Sequence, residues 1–346
     1  MLWFRNDYSE GAHPKVLEKL CETNMMHLSG YGEDVCSAAA REKIRKACGL
    51  EKADIVFLTG GTQVNAVIIS TMLRPFEGVL SASTGHINCH EAGAVEFAGC
   101  KVLSLPQHDG KVNAADVKAW MDVFYGDESH EHMVFPGVLY ISHPTEYGTL
   151  YTREELTALR KVCDERGVRI FMDGARMGYG LASEKADLTL SDIAKLCDAF
   201  TVGGTKVGAL CGEAAVFPNG SMPEKFVTLT KQRGAMLAKG RLNGVQFDAL
   251  FTDGLYFEIA AYADRLAMKL KAALLDMGYE LFIDSYTNQQ FVILTQKQYD
   301  TLRENVEFGI WETLSDGRLA VRFAVSWATT EEDTDSLIAL LKKVKT

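Results

Sequence analysis

Residues 168–176 read VRIFMDGAR and hold the most informative pattern in the sequence. It predicts an apolar strand that delivers the Asp173 carboxylate at its C-terminal end, where ligands of open α/β sheets bind. Gly174 permits close approach of a ligand, and Arg176 falls at the start of the helix that follows. Taken alone, the stretch would also fit an aspartate that caps a helix with an arginine on its surface.

Strand and helix patterns alternate on both sides of this stretch. The short apolar runs of strand character are residues 55–58, 79–82, 101–105, 138–142, 168–172 and 199–202. Short strands that alternate with amphipathic helices indicate a parallel sheet covered on both faces. We therefore expect an α/β fold with a mostly parallel sheet in a large domain.

The pattern changes after about residue 245. A long helix pattern over residues 255–277 is followed by strand-like runs at 290–294 and 319–325 and by a last helix at about 330–343. This order is typical of a smaller α+β domain. The expected organisation is an N-terminal segment, a large α/β domain and a small C-terminal domain, at residues 1–40, 41–245 and 246–346.

Composition excludes several classes of partner. The 346 residues include 36 basic and 46 acidic side chains, a net charge of −10, which argues against nucleic acid and anionic membrane surfaces. No apolar run approaches the roughly 18 residues of a membrane span, and the mixed, polar first ten residues predict no secretory signal. The eight cysteines are scattered without a C-x-x-C pair, so we expect reduced thiols in a cytoplasmic protein.

A lysine follows another apolar strand, in residues 199–206, which read AFTVGGTK. Glycine, threonine and apolar neighbours would partly desolvate Lys206, which lowers the pKa of its amine and frees it as a nucleophile. A solvated loop lysine is the simpler alternative. The 33 positions from Asp173 to Lys206 allow one strand–helix–strand step, so both side chains can face one crevice.

Two further motifs lie where strands end. Residues 59–63 read TGGTQ at a strand-to-helix junction, where free backbone N–H groups and glycines favour a phosphate. Residues 85–93 read GHINCHEAG, in which His86, His90 and Glu91 are candidate metal ligands, although no further ligand is identifiable. The other interpretations are an imidazole that packs or stacks, and side chains that are simply solvated.

These four features together match the needs of one cofactor. Pyridoxal phosphate requires a lysine for a Schiff base, a carboxylate for its ring nitrogen, a phosphate cradle and a flat group against the ring. Lys206, Asp173, residues 59–63 and His86 supply these groups. The sequence therefore predicts an enzyme that uses pyridoxal 5′-phosphate.

At these residues the chain resembles the low-specificity L-threonine aldolases, of the β-eliminating lyase group of fold-type-I pyridoxal-phosphate enzymes. The resemblance follows the whole chain in order and rests on residues 5–7, 30–34, 59–63, 86, 173–176, 206 and 321–322. It implies the fold of that group and retro-aldol cleavage of L-threonine, or a related β-hydroxy-α-amino acid, to glycine and an aldehyde.

The resemblance also implies roles for individual residues. Lys206 would form a Schiff base with the cofactor, Asp173 would pair with its ring nitrogen, and His86 would stack on its ring. Arg176 would contact the side of the ring that carries the phenolic oxygen. The phosphate would be bound by Gly61, Thr62 and Thr205. Arg322 would bind the substrate carboxylate, and Tyr31 would lie near the cofactor, reaching across a subunit interface. Because the family forms dimers and tetramers, a homodimer or homotetramer with the active site at the interface is expected.

The chain departs from the family pattern at two places. Asn6 stands where the family usually has serine; both can hydrogen-bond a carboxylate, so Asn6 is expected to bind substrate. Residues 143–148 read HPTEYG, and Glu146 replaces a family histidine that contacts the β-hydroxyl. His143, Glu146 and His90 are therefore the candidates for the base.

Three alternatives remain at this point. An aminotransferase or a β-eliminating lyase would use the same cofactor, because the ring does not choose which bond at Cα breaks. A metal-dependent hydrolase would use His86, His90 and Glu91. A catalytically inactive binding protein would leave the pairing of Lys206 with Asp173 unexplained.

Overall fold

The computed structural model of the chain describes residues 1–345. The strands are β1 (Leu2–Trp3), β2 (Ala53–Leu58), β3 (Glu77–Ala82), β4 (Lys101–Leu105), β5 (Phe135–Ser142), β6 (Arg169–Asp173), β7 (Ala199–Gly203), β8 (Glu213–Pro218), β9 (Leu281–Ile283), β10 (Gln289–Leu294), β11 (Val306–Glu307), β12 (Gly309–Thr313) and β13 (Leu319–Ala324). The helices are α1 (Pro14–Thr23), α2 (Val35–Cys48), α3 (Gly61–Met72), α4 (His86–Cys89), α5 (Ala94–Phe97), α6 (Ala114–Gly126), α7 (Arg153–Asp164), α8 (Met177–Ala182), α9 (Leu190–Leu196), α10 (Phe226–Gln232), α11 (Arg241–Leu250), α12 (Leu255–Asp276), α13 (Gln296–Leu302) and α14 (Glu331–Lys345).

A seven-stranded sheet forms the centre of the larger part of the molecule, in the order β2-β8-β7-β6-β5-β3-β4. Neighbouring strands from β7 to β4 are parallel, whereas β8 runs antiparallel to both β2 and β7. The mostly parallel sheet confirms the predicted fold class. The sequence analysis does not predict β8, because it begins with a glutamate and two alanines, which have low strand propensity.

Apolar side chains cover both faces of this sheet. Along β6, Phe171 belongs to one buried cluster, whereas Ile170 and Met172 belong to another, as the alternation of side chains along a strand requires. The first cluster includes Val64 of α3, and the second includes Leu159 of α7. The strands are therefore buried on both sides, which explains why they read as continuous apolar runs.

A four-stranded antiparallel sheet, in the order β12-β13-β10-β9, forms the second part of the molecule. The N-terminal segment packs beside it: β1 forms a separate two-stranded parallel sheet with β11, and Phe4 packs edge-on against Phe323 of β13. The predicted limits at 40/41 and 245/246 fall inside α2 and α11, so neither coincides with a connection between elements. The division into domains stays a prediction.

The structure bears on two expectations drawn from composition, which concern membrane-spanning helices and disulfides. Of the helices in residues 1–345, none combines the length and the apolar character that a membrane-spanning helix requires. None of the eight cysteines forms a disulfide.

One edge of the large sheet collects the chemically important residues. The C-terminal ends of β2, β3, β5, β6 and β7 meet there, together with the N-terminal end of the antiparallel β8. This is the edge at which ligands of α/β sheets bind.

Candidate active site

An inner cavity of about 370 Å³ opens at this edge of the sheet. An outer cavity of about 520 Å³ adjoins it on the side of the small sheet. Six residues line both cavities, namely Tyr8, His86, His90, Glu146, Arg176 and Lys206. The two cavities therefore form one continuous site, with its inner end on the large sheet and its outer end against β12 and β13.

Asp173 is the last residue of β6 and lines the inner cavity. Its Oδ2 accepts hydrogen bonds from Asn65 Nδ2 (2.8 Å) and from the Tyr140 hydroxyl (2.7 Å), and its Oδ1 accepts one from the Ala175 backbone N–H (2.9 Å). The residue is only 6% exposed. Three donors therefore hold this buried carboxylate in one orientation.

Lys206 lies three residues after the end of β7 and faces the same inner cavity. Burial lowers the pKa of its amine, and the nearby Arg176 guanidinium lowers it further, while Asp7 and Asp173 act in the opposite direction. The Tyr8 ring centroid lies 5.8 Å from Nζ. A lysine with a lowered pKa is suited to act as a nucleophile, as the sequence predicts.

The first turn of α3 forms another wall of the inner cavity, with Thr59, Gly60, Gly61 and Thr62. No side chain caps this helix. A Cβ built on Gly60 or Gly61 would meet no atom within 4 Å, so the glycines leave open space in front of the helix N-terminus. Thr205 lines the cavity beside this turn. The turn is therefore suited to bind an anion.

A hydrogen-bonded chain connects His86 to Asp173. The Nδ1 atom of His86 lies 2.7 Å from Glu91 Oε1, and Asn65 Nδ2 donates to both Glu91 Oε1 (2.8 Å) and Asp173 Oδ2. Glu91 is thus engaged in orienting His86 and Asn65. Within residues 1–345, no group of three or more potential ligands is arranged to hold a metal ion, so the metal alternative at His86, His90 and Glu91 finds no support.

Glu146 lines both cavities and is buried. Its Oε1 accepts hydrogen bonds from the Ser142 hydroxyl (2.6 Å) and the His86 backbone N–H (2.9 Å). Its buried Oε2 has no hydrogen-bond partner in the described part of the chain. Burial raises the pKa of this carboxyl, although the Ser142 hydrogen bond opposes the rise. A substrate hydroxyl could supply the missing partner.

An ion pair between Arg176 and Asp7 closes one side of the site. The guanidinium donates two hydrogen bonds to the carboxylate, at 2.7 and 3.0 Å, and Asn288 Nδ2 donates a third at 2.9 Å. Burial alone would raise the pKa of Asp7, but Arg176 and Lys206 hold it well below its usual range. Asp7 therefore stays ionised and fixes the arginine in the cavity wall.

Arg322 lies on β13 and lines the outer cavity. Its Nη1 donates to Gln289 Oε1 (3.0 Å), its Nη2 donates to the Arg5 carbonyl (3.1 Å), and its guanidinium carbon lies 5.4 Å from the Trp311 ring centroid. Its buried Nε has no partner among the described residues. The guanidinium is thus held in place with one donor unsatisfied.

Three predicted residues do not line either cavity. Asn6 Oδ1 accepts hydrogen bonds from the Tyr8 backbone and the Ser9 hydroxyl within its own turn. Tyr31 is 47% exposed and lines a separate small cavity. His143 is buried, its Nδ1 accepts a bond from the Tyr151 N–H, and burial lowers its pKa to about 4. Of the three candidate bases, the structure therefore brings only Glu146 and His90 to the site.

The structure also adds residues that the sequence analysis does not propose as site residues. These are Tyr8, Asp7, Asn65, Tyr140, Ser142, Glu213 and Trp311. For Asp7 and Tyr8 a signal exists, because Asp7 belongs to the motif at residues 5–7 on which the resemblance rests and Tyr8 follows it directly. For the others the sequence offers only single polar or aromatic residues within helices and strands.

Comparison with known proteins places this site in a family. The family model described as Beta-eliminating lyase matches residues 4–297. The low specificity L-threonine aldolase of a Pseudomonas species is 29% identical, over 99% of this chain and 97% of that protein. The structure of a Leishmania major threonine aldolase is 40% identical, with a TM-score of 0.96 and full coverage of both chains. A histidinol-phosphate aminotransferase of Clostridium acetobutylicum, at 15% identity and a TM-score of 0.74 over 100% and 99% of the two chains, shares the fold alone.

Proposed function

The chain belongs to the beta-eliminating lyase family, as a pyridoxal-phosphate-dependent lyase of the threonine aldolase type, and we propose that its cavity cleaves L-threonine or a related β-hydroxy-α-amino acid to glycine and an aldehyde. One observation carries the proposal. Lys206 and Asp173 face one inner cavity, together with the open N-terminus of α3.

The residues of the inner cavity fit the cofactor. Lys206 would hold its aldehyde carbon, Asp173 its ring nitrogen, and Gly61, Thr62 and Thr205 its phosphate. His86, fixed by Glu91, would lie against the ring. When bound, pyridoxal phosphate supplies an electron-accepting ring that stabilises negative charge at Cα. The fixed Asp173 carboxylate would keep the ring nitrogen protonated, which strengthens that effect.

The outer cavity would bind the amino-acid substrate. We propose that Arg322 binds its carboxylate, since its buried Nε lacks a partner within residues 1–345 and the guanidinium is already oriented by Gln289 and the Arg5 carbonyl. Trp311 and Tyr147 line the same cavity and would keep water from it. The planar guanidinium is suited to a carboxylate because it can form two parallel hydrogen bonds.

The Arg322→Lys variant should bind substrate more weakly. We expect KM to rise about 10- to 100-fold with a smaller change in kcat, because a single ammonium replaces a two-pronged guanidinium. Steady-state kinetics with L-threonine measures the effect. The exposed Arg318, just before β13, offers a matched control, and Arg318→Lys should leave KM unchanged. An unchanged KM in Arg322→Lys would contradict the assignment.

We propose that Glu146 acts on the β-hydroxyl group of the substrate. Its Oε2 is buried at the junction of the two cavities and lacks a partner in the described residues, whereas His143 is buried away from them. Its raised pKa makes the carboxylate a stronger base than an exposed one. Glu146 would take the hydroxyl proton as the Cα–Cβ bond breaks and the aldehyde leaves.

The Glu146→Gln variant tests this role. We expect kcat to fall by about 10²-fold or more, because the amide cannot accept the proton. In the parent enzyme, activity should fall as pH drops through the raised pKa of Glu146, and the variant should lose this acidic limb. The His90→Asn variant removes the other candidate at the junction of the cavities. A larger loss there than in Glu146→Gln would assign the base to His90.

We further propose that the chain works as a homodimer or homotetramer in the cytoplasm. Met25, Met26, Tyr31 and Val35 are exposed in one segment of the chain, and this apolar surface supports a contact with a second copy. Eight unpaired cysteines are consistent with a reducing compartment. Light scattering of the purified protein would measure the number of subunits.

The attachment point of the cofactor is directly testable. Protein reconstituted with pyridoxal phosphate should be yellow, and borohydride should remove the colour while fixing the cofactor covalently. Mass mapping of the digested protein should then find the modification on Lys206. Modification of another lysine, or a protein that gains no colour, would contradict the proposal.

A further inference from the structure

Glu213 is a buried carboxyl at the phosphate end of the inner cavity. It is the first residue of β8, its register partners are Leu58 of β2 and Gly203 of β7, and it is only 4% exposed. Paired residues on neighbouring strands point to the same face, so Glu213 lies on the face of Leu58, which packs with Val64 of α3. The side chain therefore lies on the side of the sheet that carries the open N-terminus of α3.

One oxygen of this carboxyl has no partner. Glu213 Oε2 is buried and forms no hydrogen bond to any residue from 1 to 345. A buried polar atom without a partner is costly, and native structures rarely keep one without a reason. The residue lines the inner cavity beside Gly61, Thr62 and Thr205, the groups assigned to the phosphate. A phosphate oxygen is the chemical group best placed to meet it.

The charge state of Glu213 follows from its neighbours. Burial raises its pKa to about 8, and the Asp173 carboxylate contributes to the rise, whereas the Thr205 hydroxyl and Lys206 lower it. Tyr256 of α12 belongs to the buried cluster on the other face of the sheet but still interacts electrostatically with Glu213, and burial holds its own pKa far above neutrality. The α3 residue on this side of the cavity, Asn65, is uncharged. Below about pH 8 the protonated, neutral form of the side chain therefore predominates, and this form can donate a hydrogen bond.

We propose that Glu213 binds the cofactor phosphate as a neutral carboxylic acid, donating its O–H to a phosphate oxygen, so that binding at alkaline pH takes up one proton. This inference rests on the proposed function. An ionised Glu213 would repel a phosphate dianion, so the ionised form must first gain a proton from solvent. The Oε2 atom, which has no partner among the described residues, then acquires one in the complex.

The proposal predicts a specific pH dependence of phosphate binding. The probe is pyridoxine 5′-phosphate, which lacks the aldehyde and cannot bond covalently to Lys206. Between about pH 7 and pH 8 the Kd of this probe should be nearly constant. Above pH 8 the Kd should rise with pH more steeply in the protein that has Glu213 than in Glu213→Gln, and the difference should reach up to about tenfold per pH unit. Because the Glu213 carboxylate raises the pKa of the Lys206 amine, the two slopes are compared in the Lys206→Ala background, where no amine titrates beside Glu213. The rise then begins at a higher pH, since Lys206 no longer lowers the pKa of Glu213, and the difference between the slopes isolates this carboxyl.

Two further measurements complete the test. Unphosphorylated pyridoxine should show no such difference between the parent and Glu213→Gln. Calorimetry in buffers of different ionisation enthalpy, in the same Lys206→Ala background, should find that the protein with Glu213 takes up close to one proton more at alkaline pH than the protein with Glu213→Gln. Equal slopes in the two proteins, or equal proton uptake by them, would overturn the inference. A parent protein that binds neither pyridoxine 5′-phosphate nor pyridoxal phosphate would overturn the proposed function itself.

Discussion

The Lys206→Ala variant should lose aldol cleavage almost completely. We expect kcat/KM for L-threonine to fall by at least about 10³-fold, because the variant lacks both the nucleophile that holds the cofactor and an amine that can move protons at Cα. The inner cavity offers no replacement, since Lys206 is the only lysine that lines it among the described residues. Measuring glycine formation with saturating cofactor gives the effect.

Controls separate this loss from a loss of folding. Lys118→Ala removes an exposed lysine of α6, far along the chain from the site, and should keep full activity. The Lys206→Ala protein should show an unchanged circular dichroism spectrum but no borohydride-fixed cofactor. Near-normal cleavage in this variant would contradict the assignment of Lys206.

The Asp173→Asn variant should have the second-largest effect. We expect kcat to fall by about 10²- to 10³-fold, because an uncharged amide no longer stabilises the protonated ring nitrogen. The amide also cannot accept from all three donors, because its N–H group must face either the Ala175 N–H or the Asn65 and Tyr140 donors. Steady-state kinetics and an absorption spectrum of the reconstituted variant measure the two consequences.

The absorption spectrum distinguishes Asp173→Asn from Lys206→Ala. Because Lys206 is intact, Asp173→Asn should still become yellow and still yield a borohydride-fixed product on Lys206. Asp173→Glu retains the charge and should recover part of the lost activity. Retention of more than about one tenth of the parental kcat in Asp173→Asn would contradict the role of the carboxylate.

The sequence is sufficient to predict the residues that follow strand ends. An apolar run reveals a strand, and the first polar residue after it lies at the edge where ligands bind, which locates Asp173 and residues 59–62. Lys206 follows a strand in the same way. The structure brings these residues to one cavity. The antiparallel β8, and with it Glu213, escapes prediction because its first three residues have low strand propensity.

Other parts of the site depend on contacts between distant segments. Asp7 pairs with Arg176 across 169 positions, and Asn65 binds Asp173 across 108. Neither partner reveals the other through local periodicity, because the contact exists only after the sheets have assembled. The interpretation of His86 and Glu91 as possible metal ligands failed for the same reason, because it considered only their proximity along the chain. The sequence does not show that Glu91 hydrogen-bonds His86 and the distant Asn65 and so orients both.

The products formed from L-threonine test the central claim most directly. The reconstituted protein should release acetaldehyde and glycine in equal amounts. We expect this because, in the proposed reaction, the Cα–Cβ bond breaks while Arg322 holds the carboxylate and Glu146 takes the hydroxyl proton. Formation of 2-oxobutyrate and ammonia without glycine, or transfer of the amino group to a keto acid, would contradict it.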